Sequence, residues 1–415
     1  MSPRIAVLDL RQGLQDPTEN GALLSVCGLP LLIRNLVLLQ RAGVKAAAVL
    51  VDEGDQGKVR KLLQRARRIP TVGLLVSSAD GARIERELGA FECLLLWPGA
   101  LSFGRFAPAL INEQCDLPLM ATHQGQDLGL MLLPRALVVE GADLFDPAAN
   151  AVANGLRRRE EPRAPVWVRA RADVAQAERE LLASLRKGAD GVVAVFNRTV
   201  SLAISRHLLR LPVSPNAVTI AAGLMGLGSG LAAAQGGYWF TLAGALLFQL
   251  NSIVDGVDGE IARAKLLESH VGQWLDTVAD DVTNLAFMLG AGIGCSRTFG
   301  WSGYLILAAI AGAGQALTSA FQYHYLVTVA GSGDLNDFRL PWEEPAAEAS
   351  GRPQRGAFAR FAAKLKWALR RDAFAAFSLF AALLGQLRIL IWLFAAGATS
   401  VWLSIAVYRI TRTTR

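Results

Sequence analysis

The sequence predicts two architectures in one chain: an N-terminal α/β domain, followed by an all-α domain of six transmembrane helices. Three observations carry that expectation. Strand-like and helix-like runs alternate through the first hundred residues. Apolar residues make up 52% of the 415, and their excess lies after residue 212. That apolar region divides into six segments, several near the ~20 residues that a ~30 Å hydrocarbon core requires.

Arg4–Asp9 reads as a buried strand, Leu31–Arg41 as a helix ending at Gly43, and Ala46–Val51 as a second strand. A charged helix at Gln56–Arg67, a strand at Val72–Val76, a helix near Ala82–Leu88 and a strand at Cys93–Trp97 follow. Such alternation implies a mostly parallel sheet covered on both faces. The apolar runs Leu128–Val139 and Val166–Arg169 complete it, so the domain is expected to span residues 1–170.

Residues 171–213 read as a connector. Its first part, Arg171–Gly188, is a charged helix with internal Glu and Arg partners. Its second, Val192–Leu211, sets Asn197-Arg198, Arg206 and Arg210 among Val, Leu and Ile, as in a basic helix lying in a membrane interface. The membrane domain occupies 214–415, with Ser214 or Asn216 capping its first helix. Its spans are expected near 217–235, 238–256, 271–294, 303–329, 373–387 and 389–408.

Charge sets the orientation. The loop from Gly331 to Arg371 holds Arg339, Arg352, Arg355, Arg360, Lys364, Lys366, Arg370 and Arg371, and the tail holds Arg409, Arg412 and Arg415. The opposite side shows only Arg297 and Arg388, which is the positive-inside pattern. With no signal peptide, both termini are placed in the cytoplasm, in a multi-pass protein of the cell (inner) membrane. The net charge of +7 belongs to basic residues beside hydrophobic segments, so an anionic lipid surface, and not nucleic acid, is the expected partner. Cys27, Cys93, Cys115 and Cys295 are scattered without zinc spacing and read as reduced structural residues.

One stretch concentrates the acids of the membrane domain. Asp255-Gly256-Val257-Asp258-Gly259-Glu260-Ile261-Ala262-Arg263 is followed, eight residues on, by Gly272-Gln273-Trp274-Leu275-Asp276-Thr277-Val278-Ala279-Asp280. Asp255 and Asp258 are three apart and Asp276 and Asp280 four apart, so on helices each pair shares a face. The apolar run Tyr238–Gln249 leads in and Leu285–Gly294 leads out, which sets four carboxylates where two hydrophobic helices meet water. Isolated anions at that depth cost roughly several kcal/mol each. One or two divalent cations remove that cost, and hard oxygen ligands suit Mg²⁺ or Mn²⁺. Asp255, Asp258, Asp276 and Asp280 are therefore the expected metal ligands.

The same stretch fills every specified position of Asp-x2-Asp-Gly-x2-Ala-Arg-x8-Gly-x3-Asp-x3-Asp, and so resembles the signature of the CDP-alcohol phosphotransferase family. Pro215-Asn216-Ala217-Val218-Thr219 resembles that family's Pro-Asn-x-Val-Thr entry. The resemblance implies transfer of a phosphoryl-linked alcohol from a CDP-linked donor, either CDP-diacylglycerol or a CDP-polyol, to an acceptor hydroxyl with release of CMP. It implies that Asp255, Asp258 and Asp276 bind two Mg²⁺ or Mn²⁺ ions with the diphosphate. Asp280 is then the general base, also touching a second ion, and Arg263 pairs with a phosphate. Gly259, Ala262 and Gly272 carry almost no side chain, so cytosine and ribose can approach the backbone. Family members often have a basic residue after the last aspartate, whereas Asp281 stands here. Gln322, Tyr323 and His324, with Arg370, Arg371 and Asp372, are the candidates for acceptor contacts. The family also implies a membrane homodimer.

Leu24-Ser25-Val26-Cys27-Gly28-Leu29-Pro30-Leu31-Leu32, with Leu39-Gln40-Arg41-Ala42-Gly43-Val44, is similar to the sugar-nucleotide (nucleotidyl) transferase family. Three departures matter: Asp9-Leu10-Arg11-Gln12-Gly13-Leu14 replaces Gly-x-Gly-x-Arg, Asn20-Gly21-Ala22-Leu23 replaces Pro-Lys-Pro-Leu, and Trp97-Pro98-Gly99-Ala100 stands where a metal-binding aspartate is expected. A phosphate cradle needs small residues with positive charge beside them, so this Rossmann-like, nucleotidyltransferase-type domain is expected to be inactive. The module order resembles bifunctional inositol-phosphate cytidylyltransferase/di-inositol-phosphate-phosphate synthases, which makes a polyol phosphate such as an inositol phosphate the implied acceptor. Two alternatives stand beside this reading: a membrane-tethered cytidylyltransferase, and a non-enzymatic cation- or lipid-binding membrane protein. Acids lining a transport path belong at mid-span, whereas these lie at a water-facing edge.

Overall fold

The computed structural model describes residues 4–11, 20–66, 69–76, 81–114, 116–138, 144–145, 156–163, 165–185, 192–331, 333 and 371–413. They form two compact units, Met1–Leu185 with Ala264–Leu266, and Arg186–Arg263 with Leu267–Arg415.

In the first unit the apolar runs become β1 (Arg4–Asp9), a small hairpin of β2 (Ser25–Val26) and β3 (Leu29–Pro30), β4 (Ala46–Val51), β5 (Thr71–Val76) and β6 (Cys93–Pro98). Then come β7 (Leu101–Ser102), β8 (Leu119–His123), β9 (Gln126–Pro134), β10 (Arg157–Glu160) and β11 (Val166–Trp167). Helices α1 (Leu31–Arg41), α2 (Gln56–Arg65), α3 (Gly81–Leu88) and α4 (Arg171–Leu185) separate or follow them. The main sheet has the order β10-β8-β9-β6-β1-β4-β5. Strands β6, β1, β4 and β5 are parallel, while β9 runs antiparallel to both β6 and β8.

Alternation along β1 explains why both faces are covered. Ala6 and Leu8 enter one core with Leu32, Leu36 and Leu39 of α1, and Ile5 and Val7 enter the other with Ile84 of α3. The antiparallel part comes from the β8–β9 turn, where Gln124 (φ 51°) and Gly125 (φ 77°) both take the left-handed backbone of a tight hairpin.

Two expectations change. The expected boundary at residue 170 moves to Leu185, because α4 packs within the first unit: Leu181 and Leu185 are buried and Glu178 Oε1 accepts the Cys27 N–H at 3.1 Å. Cys27 and Cys295 are free thiols, but Cys93 is disulfide-bonded, not reduced.

The second unit is helical: α5 (Val192–Leu208), α6 (Pro215–Gln235), α7 (Tyr238–Ala264), α8 (His270–Phe299), α9 (Gly303–Tyr325, extended by a π turn at Leu326–Ala330), α10 (Arg371–Leu383) and α11 (Leu387–Thr413). Helices α6 to α11 overlap the six apolar segments. Among the described residues three stretches are long and apolar enough to cross a membrane: Pro215–Gln235, Tyr238–Ala264 and Gly303–Ala330. Ser214 caps α6 by accepting the Ala217 N–H, with Pro215 in the first turn, and Ser269 caps α8 through the Gly272 N–H.

Small residues bring α6 and α8 together. A Cβ at Gly230 would meet the Ala286 carbonyl oxygen at 2.4 Å, and one at Gly290 would meet that of Gly230 at 2.1 Å, so neither position accepts a side chain. The outward faces carry Ile220, Leu224, Leu227 and Leu231 on α6 and Leu305, Ile306 and Ile310 on α9, all exposed. This is a membrane protein.

Helix α5 is inverted relative to a soluble amphipathic helix. Its polar residues Asn197, Ser201 and Ser205 are buried while Val192, Val195 and Phe196 are exposed. The polar face docks on α7: Gln249 Nε2 donates to Asn197 Oδ1 at 2.8 Å, and Ser201 and Ser205 donate to Glu260 at 2.7 and 2.6 Å. The basic residues between Gly331 and Arg371 on which the orientation rests, and residues 12–19 where a phosphate loop is expected, lie outside the described residues.

Candidate active site

The signature lies on two helices. Asp255, Asp258, Gly259, Ala262 and Arg263 stand on the last turns of α7, and Gly272, Asp276 and Asp280 on the first turns of α8. Asp255, Asp276 and Asp280 converge, each offering a carboxylate oxygen within 4.8 Å of the others. Asp258 does not join them. It is buried against α6, where it accepts the Thr219 hydroxyl and its own neighbour's N–H at Gly259. Three of the four expected carboxylates thus converge, and Asp258 ties the Pro-Asn-x-Val-Thr entry to the signature.

A guanidinium completes the cluster. Arg371, at the start of α10, has Nη1 2.9 Å from Asp255 Oδ1 and also pairs with Asp280. Its Nη2 donates to Asn251 Oδ1 and, at 3.2 Å, to Thr283 Oγ1. Asn251 is one turn before Asp255 and is itself fixed by donating to the Ala222 carbonyl at 2.6 Å. Of the sequence candidates for acceptor contacts, Arg371 thus reaches the carboxylates, and Tyr323 reaches Asp281, donating to Oδ2 at 2.5 Å. His324 is exposed, Gln322 and Asp372 are half-buried, and Arg370 lies outside the described residues.

The small residues do two different things. Gly259 leaves room for Arg263, whose Nη1 lies 3.0 Å from where a Cβ would stand. Gly272 faces the entry motif, with Asn216 Oδ1 3.3 Å from its Cβ position. Ala262 is half-buried on α7. Sequence reasoning missed Thr219, Asn251, Thr283 and the buried Glu260 with its two serines. Their signal was present as polar residues at helical spacing inside apolar spans, which persist only when satisfied or used.

Three carboxylate oxygens on helix ends are a hard, anionic donor set that fits a divalent cation such as Mg²⁺ or Mn²⁺. The N-terminal unit shows a different picture at the carboxyl end of β1, where a doubly wound sheet binds ligands. Buried Asp9 is held by Arg11, with Nε 3.1 Å and backbone N 2.9 Å from Oδ1. Arg34, wholly buried in this unit, donates to the Val26 carbonyl at 2.9 Å, and burial pulls its guanidinium down to about 10.

Fold and site together define a helical membrane domain with an acidic, cation-compatible centre. Residues 212–332 match the family model described as CDP-alcohol phosphatidyltransferase. They are a domain of that family, and the chain that carries them is an enzyme of this type.

A relative from Aquifex aeolicus, named bifunctional IPC transferase and DIPP synthase, is 29% identical over 308 residues, covering 64% of this chain and 71% of its own length. Among solved structures, a phosphatidylinositol phosphate synthase from Mycobacterium tuberculosis with CDP-DAG bound is 20% identical, covering 48% of this chain and 88% of its own, with a TM-score of 0.34. An inositol-1-phosphate CTP transferase from T. maritima is 13% identical, covering 46% of this chain and 99% of its own, also with a TM-score of 0.34.

Proposed function

We propose that the chain transfers a phosphoryl-linked alcohol from a CDP-alcohol donor to an acceptor hydroxyl at the cytoplasmic side of the membrane, releasing CMP. The observation that carries this reading is the convergence of Asp255, Asp276 and Asp280 from two helices, within 4.8 Å. These residues would hold Mg²⁺ or Mn²⁺, as one or two ions. When bound, the cation supplies neutralisation of the pyrophosphate and of the charge that develops on the leaving group.

The protein's own groups do the rest. Arg263, folded back over Gly259, and Arg371, bridging Asp255 and Asp280, offer fixed positive charge to phosphate oxygens. Asp258, braced by Thr219, keeps α6 against α7 beside the donor. Asp280 accepts the proton of the attacking hydroxyl. That oxygen bonds to the phosphorus carrying the donor alcohol, the bond to the bridging pyrophosphate oxygen breaks, and CMP leaves with the electron pair.

The names of the relatives favour an inositol phosphate as acceptor, and either CDP-diacylglycerol or a CDP-polyol as donor. The first unit serves as a non-catalytic module, since Arg11 is committed to Asp9, and the membrane domain works as a homodimer with both termini cytoplasmic. The test is CMP release by the full chain in proteoliposomes. CDP-diacylglycerol and a CDP-polyol are each paired with a panel of polyol phosphates, with and without Mg²⁺. No CMP from any combination overturns the reading.

A further inference from the structure

Asp280 and Asp281 are neighbours on α8, but a helix turns about 100° per residue, so their carboxylates leave in different directions. Asp280 meets Arg371 of α10, whereas Asp281 meets α9. Two donors hold it there: the Tyr323 hydroxyl, 2.5 Å from Oδ2, and Gln315 Nε2, 3.2 Å from Oδ1. Gln315 Nε2 also reaches Ser319 Oγ at 3.3 Å, and Trp274 of α8 meets the Tyr323 ring edge-on with centroids 5.5 Å apart. Gln315, Ser319 and Tyr323 recur at intervals of four and form one polar stripe along α9.

A polar stripe within a span is retained when it is used. Satisfying Tyr323 and Gln315 needs only an acceptor, which a neutral asparagine or serine supplies without a charge. A carboxylate has about four acceptor positions, and these two donors fill half of them. The remaining capacity lies one residue from Asp280, on a wall where α9 contains no Lys or Arg. Acceptors without a cation repel a phosphate and receive hydroxyl donors.

We propose that Asp281, clamped by Tyr323 and Gln315, accepts a hydrogen bond from a second, non-attacking hydroxyl of the acceptor. The acceptor is then a polyol read through at least two of its hydroxyls. This rests on the transferase reading above, and makes Asp281 a specificity residue distinct from the proposed base Asp280.

The test uses the full chain in proteoliposomes with a saturating CDP-linked donor, and compares inositol 1-phosphate with its singly deoxygenated analogues. In the wild type, loss of one particular hydroxyl raises the acceptor KM on the order of 10-fold, as for a hydrogen bond to a charged group. Asp281→Ala raises KM for the complete acceptor by a similar factor and no longer distinguishes that analogue, while the donor KM stays within about 2-fold. Tyr323→Phe keeps the ring contact with Trp274, loosens the clamp and shifts KM the same way by a smaller factor. Asp281→Asn, which keeps the side-chain shape, replaces the alanine variant if the latter does not accumulate.

A wild type that treats all the analogues alike, or variants that keep the full discrimination, overturn the proposal while leaving the transferase reading intact. So does a uniform loss of kcat with acceptor KM unchanged. A wild type that releases no CMP from any donor overturns both.

Discussion

Replacing Arg371 with glutamine tests the charge balance of the site. The guanidinium has four partners, Asp255 at 2.9 Å, Asp280, Asn251 and Thr283 at 3.2 Å. The side chains of Arg371, Asp255 and Asp280 are 15%, 25% and 23% exposed, so the pairs are mostly but not fully shielded. Removing one partner of a fully buried pair costs about 3–5 kcal/mol. Screening at this exposure lowers that to about 2–3 kcal/mol. Glutamine brings no charge, and three carboxylates then face one another within 4.8 Å. At about 2–4 °C per kcal/mol for a unit of this size, the melting temperature in chelator falls by roughly 4–12 °C.

A divalent cation supplies the missing charge, and a ligand that binds only the folded state stabilises it by RT ln(1 + [L]/Kd). Saturating Mg²⁺ or Mn²⁺ therefore raises the melting temperature of Arg371→Gln more than that of the wild type. The assay is fluorescence-monitored thermal unfolding of the full chain in detergent, in chelator and across a cation titration. Equal melting temperatures in chelator, or equal stabilisation by cation, refute the assignment of Arg371 as the counter-charge of the cluster.

Asp280→Asn should lower the rate of CMP release about 10²–10⁴-fold, the range for loss of a general base. Removing both hydroxyls with Ser201→Ala and Ser205→Ala leaves the Glu260 carboxylate buried without its two serine donors, at about 1–3 kcal/mol for each lost bond. Thermal unfolding should show the drop, and Ser→Thr changes at the same positions should recover part of it.

Gly290→Val places a side chain where the Gly230 carbonyl lies 2.1 Å from the Cβ position, so the chain should fail to accumulate in membranes, as read by fractionation. In the first unit, exposed Glu160 accepts the Gln124 N–H and the Thr122 hydroxyl, which hold its carboxyl below the usual range. Its stabilisation is complete above the ordinary carboxylate range and is lost as the pH falls through the lowered value. Glu160→Gln should therefore weaken the acid dependence of unfolding, followed by tryptophan fluorescence.

The parts of the structure legible in the sequence are those set by neighbours along the chain. Continuous apolar runs between helix-like segments gave β1, β4, β5 and β6, and the motif spacing put Asp276 and Asp280 on one helix face. Asp258 escaped that logic because the Thr219 hydroxyl, on another helix, holds its carboxylate. The basic residues of helix α5 predict a helix lying in the membrane interface. Its docking depends on serines that look unremarkable until Glu260, 59 and 55 positions away, is set against them.

Arg371 is the plainest case. The sequence offers Arg371 among the basic residues of its loop and as a candidate for acceptor contacts, but nothing local links it to Asp280, 91 residues earlier. A counter-charge can come from any helix that packs nearby, so carboxylate spacing predicts the ligands of such a site but not what balances them. Asp281 lies between these cases. The sequence shows an acid where the resemblance calls for a base. Only the Tyr323 and Gln315 contacts turn that departure into a surface with a chemical preference.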